Sequence, residues 1–129
     1  MAITDTGSKT DLGLLLDPIY FDLNSSYIRS DANMELNKIV SIMNQYPSPE
    51  IDIRSHTDSR DSDRYNKWLS NRRAQSTIDY LISRGISPNR LTGRGYGETK
   101  LVNHCSNGVK CSDSLHEQNR RSEFIITKR

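Results

Sequence analysis

The sequence is poor in apolar residues, which make up only 33% of its 129 positions. It contains no apolar run close to the roughly 18 residues that a membrane-spanning helix requires, so we expect no such helix. Residues 1–9 are polar and rich in small side chains, and they lack the apolar stretch of a signal peptide. Met1 and Ala2 are therefore interpreted as an artificial start on a domain taken from a longer protein.

The chain also lacks a strong excess of charge of one sign. Its 18 Lys and Arg against 16 Asp and Glu give a net charge of +2, which gives little support to a nucleic-acid partner. The length is typical of one domain, and the mean hydropathy of −0.74 indicates a small core beneath a charged surface.

Cysteine is scarce as well, with only Cys105 and Cys111, six positions apart. Gly108 between them allows the tight reversal that a disulfide needs, and such a bond indicates an oxidising compartment. Free thiols are one alternative, and a zinc site with His104 and His116 is another. Against zinc, the adjacent His104 and Cys105 would struggle to face one ion, and the chain has no paired C-x-x-C motif.

Hydrophobic periodicity and turn residues predict the order strand, helix, strand, helix, strand, loop, strand. The predicted strands are 18–23, 50–54, 91–96 and 123–127. The predicted helices are 31–46, capped by Ser30, and 62–84, with a helical turn near 114–118 in the loop 98–119. Residues 1–16 are interpreted as a flexible lead and 17–129 as one domain. This order predicts an α/β (α+β) sandwich in which a small mixed sheet packs against two long helices.

A possible binding site lies where the second strand ends. Asp58 follows that strand, and loops at strand ends are common ligand positions in open α/β sheets. Asn66 and Arg73 are seven residues apart, which places them on nearly one helix face, about 10 Å apart along the axis, with Leu69 between them. A carboxylate and a guanidinium held close together can bind a zwitterion. Taken singly, Asp58 could be a turn residue and Arg73 a solvated helix charge.

Five short motifs occur in order between Pro18 and Lys128. They are IYFDLN (19–24), SHTD (55–58), NxxLSxxRA (66–74), LxxxGYG (91–97) and NRR (119–121). In this combination the chain resembles the OmpA-like C-terminal domain, a periplasmic peptidoglycan-binding module of Gram-negative envelope proteins. The resemblance covers nearly the whole chain.

The resemblance implies a non-catalytic domain, without cofactor or metal, that binds the meso-diaminopimelate of peptidoglycan stem peptides. Asp58 would receive the ligand's ammonium and Arg73 its carboxylate. The same resemblance assigns to the pocket Asn66, Thr57, Asn24 and Arg120. It also implies a periplasmic domain that anchors an outer-membrane protein to the cell wall, with the membrane reached only through a region beyond this chain.

Several positions depart from the family pattern. Ser55 stands where many members have Gly, and Thr77 replaces a branched aliphatic side chain. The segment 59–61 is more charged than is common, whereas His56 is expected to support the loop and Arg121 to pair with a carboxylate. The insertion that carries the cysteines resembles one branch of the family, which supports the disulfide.

Two other functions compete with this interpretation. The first is a stator-type module, or a module for protein docking or dimerisation, on the same scaffold. The sequence does not define an oligomeric state. The second is a hydrolase that uses Asp58 and His56, but the chain lacks a recognisable Ser or Cys nucleophile motif.

Overall fold

The computed structural model describes residues 16–128. Four strands and three α-helices follow one another in this part of the chain. They are β1 (Ile19–Tyr20), α1 (Ala32–Gln45), β2 (Glu50–Ser55), α2 (Asp63–Ser83), β3 (Leu91–Gly95), α3 (Asp113–Glu117) and β4 (Arg121–Lys128), with a 3₁₀ turn at Pro88–Arg90. The predicted order and the α+β class are confirmed. The predicted lead lies outside the described residues except for Leu16, which is buried.

The strands form one mixed sheet in the order β1-β4-β2-β3. β2 and β3 are parallel, whereas β4 runs antiparallel to both β1 and β2. The carboxyl ends of β1, β2 and β3 and the amino end of β4 therefore lie at one end of the sheet. Backbone bonds continue the pairing beyond the strands there, from Phe21 N–H to Arg120 O (2.8 Å) and from His56 N–H to Arg121 O (2.8 Å).

Both long helices cover one face of the sheet and form a single core with it. β2 alternates between buried and half-buried residues, so Ile51 and Ile53 face the helices while Asp52 and Arg54 face solvent. The core cluster joins them to residues of α1 and β4 such as Leu36 and Phe124. No helix within residues 16–128 is long and apolar enough to cross a membrane.

The ends and faces of some elements differ from the predictions. β1 has only two residues, because from Phe21 onward the chain turns toward α2. The N-cap of α1 is Asp31 rather than Ser30, and it makes no side-chain cap bond. Its carboxylate instead accepts hydrogen bonds from Arg29 (2.6 and 3.0 Å).

The inner face of α2 also differs from the predicted one. Apolar spacing predicts an inner face made of Leu69, Ala74, Ile78, Leu81 and Ile82. Leu69, Ala74 and Leu81 are buried as predicted, but Ile82 is exposed, and polar residues take many of the buried positions. These buried polar residues are Asn66, Ser70, Arg73 and Thr77. They recur at intervals of three or four, which is the helical spacing of one face, and Ile82 falls beside that face.

Close contact between α2 and β3 depends on Gly95. A Cβ atom added there would lie 2.1 Å from Ser70 Oγ and 2.3 Å from the backbone nitrogen of Asn71. Gly95 N–H also donates to Asn71 Oδ1 (2.8 Å). The absence of a side chain therefore lets the helix backbone rest on the strand, beside the end of the sheet where β2 and β3 finish.

We expect Gly95→Ala to lower the free energy of unfolding by about 3 kcal/mol, because the new methyl group collides with helix backbone that has no room to move. Gly93→Ala is the comparison, since its Cβ meets mainly the end of the Ile78 side chain at 3.0 Å and backbone at 3.1 Å. Urea unfolding measures both. A smaller loss for Gly95→Ala than for Gly93→Ala would contradict the close contact.

Candidate functional site

All six residues that the sequence assigns to ligand binding line one pocket. The pocket lies at the end of the sheet where β2 and β3 finish. Its walls come from the segment after β1, the loop after β2, the inner face of α2 and the residue before β4. The lining residues are Leu23, Asn24, Thr57, Asp58, Arg60, Asn66, Leu69, Arg73 and Arg120. The fold brings the six together, while their ligand stays a prediction.

Asp58 supplies the buried negative charge of the pocket and is only 3% exposed. Its carboxylate accepts hydrogen bonds from the backbone N–H of Arg60 (3.0 Å), from Arg60 Nη2 (2.8 Å) and from Arg120 Nη1 (3.4 Å). Burial alone would raise the pKa of this carboxyl, but the hydrogen bonds and charge of Arg60, with help from Arg120, hold the pKa below its usual range. Asp58 is therefore ionised at neutral pH.

Arg73 is fully buried, so its interpretation as a solvated helix charge is wrong. Its Nε donates to Ser25 O (2.8 Å), Nη1 to His56 O (3.0 Å) and Nη2 to Asp22 O (2.9 Å). A guanidinium has five N–H donors, so one further donor remains on each terminal nitrogen. Burial, together with repulsion from Arg120, lowers the pKa of Arg73 to about 10, which still leaves it charged at neutral pH.

Arg120 brings a second buried guanidinium to the pocket and is 4% exposed. Its Nε donates to Phe21 O (2.7 Å), and Nη1 reaches both Asp58 (3.4 Å) and the exposed Asp113 (3.2 Å). The buried part of the pocket thus holds two guanidiniums, those of Arg73 and Arg120, against the one carboxylate of Asp58. Such an excess of buried positive charge favours an anionic group close by.

The remaining predicted residues supply neutral polar groups. Asn66 Nδ2 donates to Asp58 O (3.3 Å) and to Glu98 Oε1 (3.0 Å). Thr57 Oγ1 is buried and has no hydrogen-bond partner among residues 16–128. Asn24 lies at the rim with a φ of 56°, a left-handed conformation that Asn tolerates better than most residues.

Sequence reasoning missed three participants. They are Arg60 as a direct partner of Asp58, Glu98 as a partner of Asn66, and Asp113 as a partner of Arg60 and Arg120. Burial, followed by the neighbouring carboxylates of Asp63 and Asp58, raises the pKa of Glu98. The D-S-R-D run at 58–61 contained a usable signal, because an Asp and an Arg two residues apart in a turn can pair. Nothing local in the sequence connects Glu98 with α2.

The pocket is closed around these side chains. Its interior volume is about 10 Å³, which is room for about one water molecule. The Arg60 guanidinium covers Asp58, and its side chain is 39% exposed, whereas that of Asp58 is 4% exposed. A cation from outside can therefore reach Asp58 only after Arg60 has moved.

Comparison with known proteins agrees with the fold described above. The OmpA family profile matches residues 20–113. The chain belongs to the OmpA family. It is 39% identical over 121 residues to the peptidoglycan-associated lipoprotein of Brucella melitensis, an alignment that covers 93% of this chain and 69% of that protein.

Solved structures of the same fold include two with high overall similarity. The peptidoglycan-associated lipoprotein from Burkholderia pseudomallei has a TM-score of 0.78 at 22% identity, over 92% of this chain and 98% of that one. The C-terminal domain of MotB from Helicobacter pylori has a TM-score of 0.73 at 25% identity, over 86% of this chain and 84% of that one.

In this OmpA family domain, His56 and Asp58 do not form the pair that a hydrolase would need. His56 Nε2 is 3.1 Å from Glu123 Oε1, whereas Asp58 is bound by Arg60 and Arg120. Arg121 Nε donates to the other oxygen of Glu123 (2.9 Å), so Arg121 pairs with a carboxylate as expected.

The disulfide between Cys105 and Cys111 is present, with Cα atoms 6.0 Å apart, and this prediction is confirmed. Both sulfurs are therefore committed, and the thiolates that the zinc alternative needs are not available. Most of the insertion is exposed, but Cys105 is fully buried and its carbonyl accepts a hydrogen bond from Ser59 Oγ. The disulfide loop thus supports the segment next to Asp58.

Ser55 and Thr77, two of the three expected departures from the family pattern, contact the same residue. Ser55 Oγ lies 2.5 Å and Thr77 Oγ1 3.2 Å from Ser122 Oγ, and Thr77 Oγ1 also donates to Arg73 O (2.8 Å). All three hydroxyl residues are fully buried. They form one hydrogen-bonded group between β2, α2 and β4, which satisfies polar atoms that would otherwise be costly in the core.

We expect Glu123→Gln to change how the free energy of unfolding depends on pH. Hydrogen bonds from His56 and Arg121 lower the pKa of Glu123 from 4.5 to about 2. The ionised carboxylate therefore stabilises the folded chain above pH 4.5, and that contribution is lost as pH falls toward 2. Denaturant unfolding at several pH values should show the variant less stable at pH 7, with the difference from wild type narrowing between pH 4.5 and pH 2. A difference that stays constant over this range would contradict the assigned partners.

Proposed function

We propose that this domain binds the meso-diaminopimelate of peptidoglycan stem peptides and thereby anchors an outer-membrane protein to the cell wall. The observation that carries the proposal is the charge of the pocket. Two buried guanidiniums face one buried carboxylate, and the other cation on that carboxylate, Arg60, is partly exposed. A ligand that bears one carboxylate and one ammonium on the same carbon complements this arrangement.

The free donors of the pocket match an amino-acid group. The ligand's carboxylate takes the N–H donors that remain on the terminal nitrogens of Arg73, in the paired geometry that guanidinium and carboxylate prefer. Its ammonium takes the carboxylate of Asp58. The hydroxyl of Thr57, buried and without a partner among residues 16–128, gains a hydrogen bond in the same step, and Asn66 and Asn24 add polar contacts at the helix and at the rim.

Arg60 has to leave Asp58 for this to happen. The guanidinium of Arg60 holds the position that the ligand's ammonium requires, and it also lies 3.3 Å from the exposed carboxylate of Asp113. Asp113 can keep Arg60 after the exchange, so no buried charge is left without a partner. The free protein thus carries its own competitor for the ligand.

The compartment and the non-catalytic role have separate support. A disulfide is typical of proteins in an oxidising compartment such as the periplasm. The relative from Brucella melitensis is named a peptidoglycan-associated lipoprotein. The pocket lacks an acid–base pair, since Asp58 is held by arginines and His56 by Glu123. We assign the membrane attachment to a region outside residues 17–129. The stator-type or protein-docking alternative stays a prediction.

Calorimetric titration tests the ligand directly. We expect a stem tripeptide that ends in meso-diaminopimelate to bind, and the same tripeptide ending in lysine to bind at least tenfold more weakly. The side-chain carbon of that lysine bears an ammonium but no carboxylate, so arginine donors would be left unpaired. Asp58→Asn should weaken diaminopimelate binding by a similar factor. Asp61→Asn is the matched control, since Asp61 is exposed on the same loop and its side chain only caps Ser62 N–H. Equal binding of both ligands, or full binding by folded Asp58→Asn, would refute the assignment.

Arg60→Gln tests whether Arg60 competes with the ligand for Asp58. Removing the guanidinium takes away a partner of Asp58, so we expect the free protein to lose stability while its affinity for meso-diaminopimelate rises about threefold or more. If the role of Arg60 were purely structural, the substitution would lower both the stability and the affinity. Arg64→Gln, which removes an exposed positive charge four residues away, should leave both nearly unchanged. Weaker binding by Arg60→Gln would show that Arg60 assists the ligand instead of competing with it.

A further inference from the structure

The helices leave one face of the sheet uncovered. This face contains a second depression, near the end of the sheet where β2 and β3 finish. Arg54 of β2 lies directly opposite Arg94 of β3 in the parallel pairing and opposite Glu123 of β4 in the antiparallel pairing. The depression has a volume of about 450 Å³, which is within the range of small-ligand sites. We call it the basic cleft, and its residues are Arg54, His56, Arg94, Tyr96, Lys100 and Glu123.

The basic cleft has more positive than negative charge. Three of its residues are cationic, and Glu123 is its only carboxylate, already shared by His56 and Arg121. Arg54 pairs with Asp52 on its own strand (2.8 Å). Within residues 16–128, neither Arg94 nor Lys100 has a carboxylate within 4 Å. Burial lowers the pKa of His56, so its ring is neutral at pH 7 and adds no charge.

The pairing of β2 with β3 holds the backbones of Arg54 and Arg94 side by side. Like charges directly opposite each other on neighbouring strands repel, and a concave surface concentrates the resulting field. Arg94 is further positioned by Tyr96: its guanidinium lies 4.9 Å from the ring centroid and Nε donates to the hydroxyl (3.0 Å). Tyr96 in turn stacks on the buried His56, with ring centroids 5.5 Å apart. Among the residues that the structure describes, Arg94 is therefore a preorganised cation without a counterion, beside a second arginine.

From this geometry we infer that the basic cleft is a binding site for an oxyanion, a phosphate or carboxylate group held between Arg54 and Arg94 with Lys100 beside it. Planar guanidiniums bind both groups through paired hydrogen bonds. An anion placed there relieves the repulsion between the arginines. The site is separate from the pocket around Asp58, since the two share no lining residue.

The test is a titration of the full chain with inorganic phosphate at constant ionic strength, followed by the backbone amide signals in ¹H–¹⁵N NMR spectra. We expect saturable shifts at Arg54, Arg94 and Tyr96. Arg94→Gln should weaken the binding at least tenfold. The matched control is Arg84→Gln, because Arg84 also lies 4.9 Å from a tyrosine ring, that of Tyr80, but sits at the end of α2 outside the cleft.

Succinate as a second probe identifies the kind of oxyanion. Saturation by phosphate alone supports a phosphate group as the natural ligand, and saturation by succinate alone supports a carboxylate. Shifts that never saturate with either probe, or that are the same in Arg94→Gln and Arg84→Gln, overturn the proposal. Shifts centred on Asp58 and Arg73 overturn it as well, because they place the anion in the other pocket.

Discussion

The guanidinium of Arg73 holds together three of the four segments that make the pocket. From α2 it reaches carbonyls in the segment after β1, at Asp22 and Ser25, and in the loop after β2, at His56. Each buried carbonyl that loses such a donor costs about 1–3 kcal/mol. The same side chain that we assign to the ligand is therefore also a main structural link, and the pocket cannot be separated from the fold.

This double role explains why the site is closed and strongly charged. Burying Arg73 next to Arg120 is unfavourable, as the lowered pKa of Arg73 indicates. The fold compensates only in part, with backbone carbonyls and the carboxylate of Asp58. His56 stands between the pocket and the basic cleft, since its carbonyl accepts from Arg73 while its ring lines the cleft. Two positively charged sites thus lie on opposite sides of one short backbone segment.

The order and type of the elements could be predicted because hydrophobic alternation and helical spacing are local properties of the sequence. β2, α2 and β4 lie close to their predicted ranges for that reason. The buried face of α2 could not be predicted in this way, because apolar periodicity favours Ile82 and gives no weight to a buried Arg73 or Thr77. Their burial depends on carbonyls and hydroxyls contributed by distant segments.

The candidate site could also be predicted only in part. The resemblance named six residues that the fold does gather in one place. The resemblance did not indicate that Arg60 covers Asp58. That contact depends on the path of the loop, including the left-handed backbone of Asp61 at φ 91°. Local motifs therefore located the pocket, and the three-dimensional path of the loop determined that it is closed.

The hydrogen bond from Ser59 to the carbonyl of Cys105 links the pocket to the chemistry of its surroundings. In a reducing environment the loop closed by Cys105 and Cys111 opens, and the residue beside Asp58 then rests on a longer and freer segment. The disulfide therefore shortens the free segment that carries the carbonyl of Cys105 and limits how far Ser59, the neighbour of Asp58, can move with it.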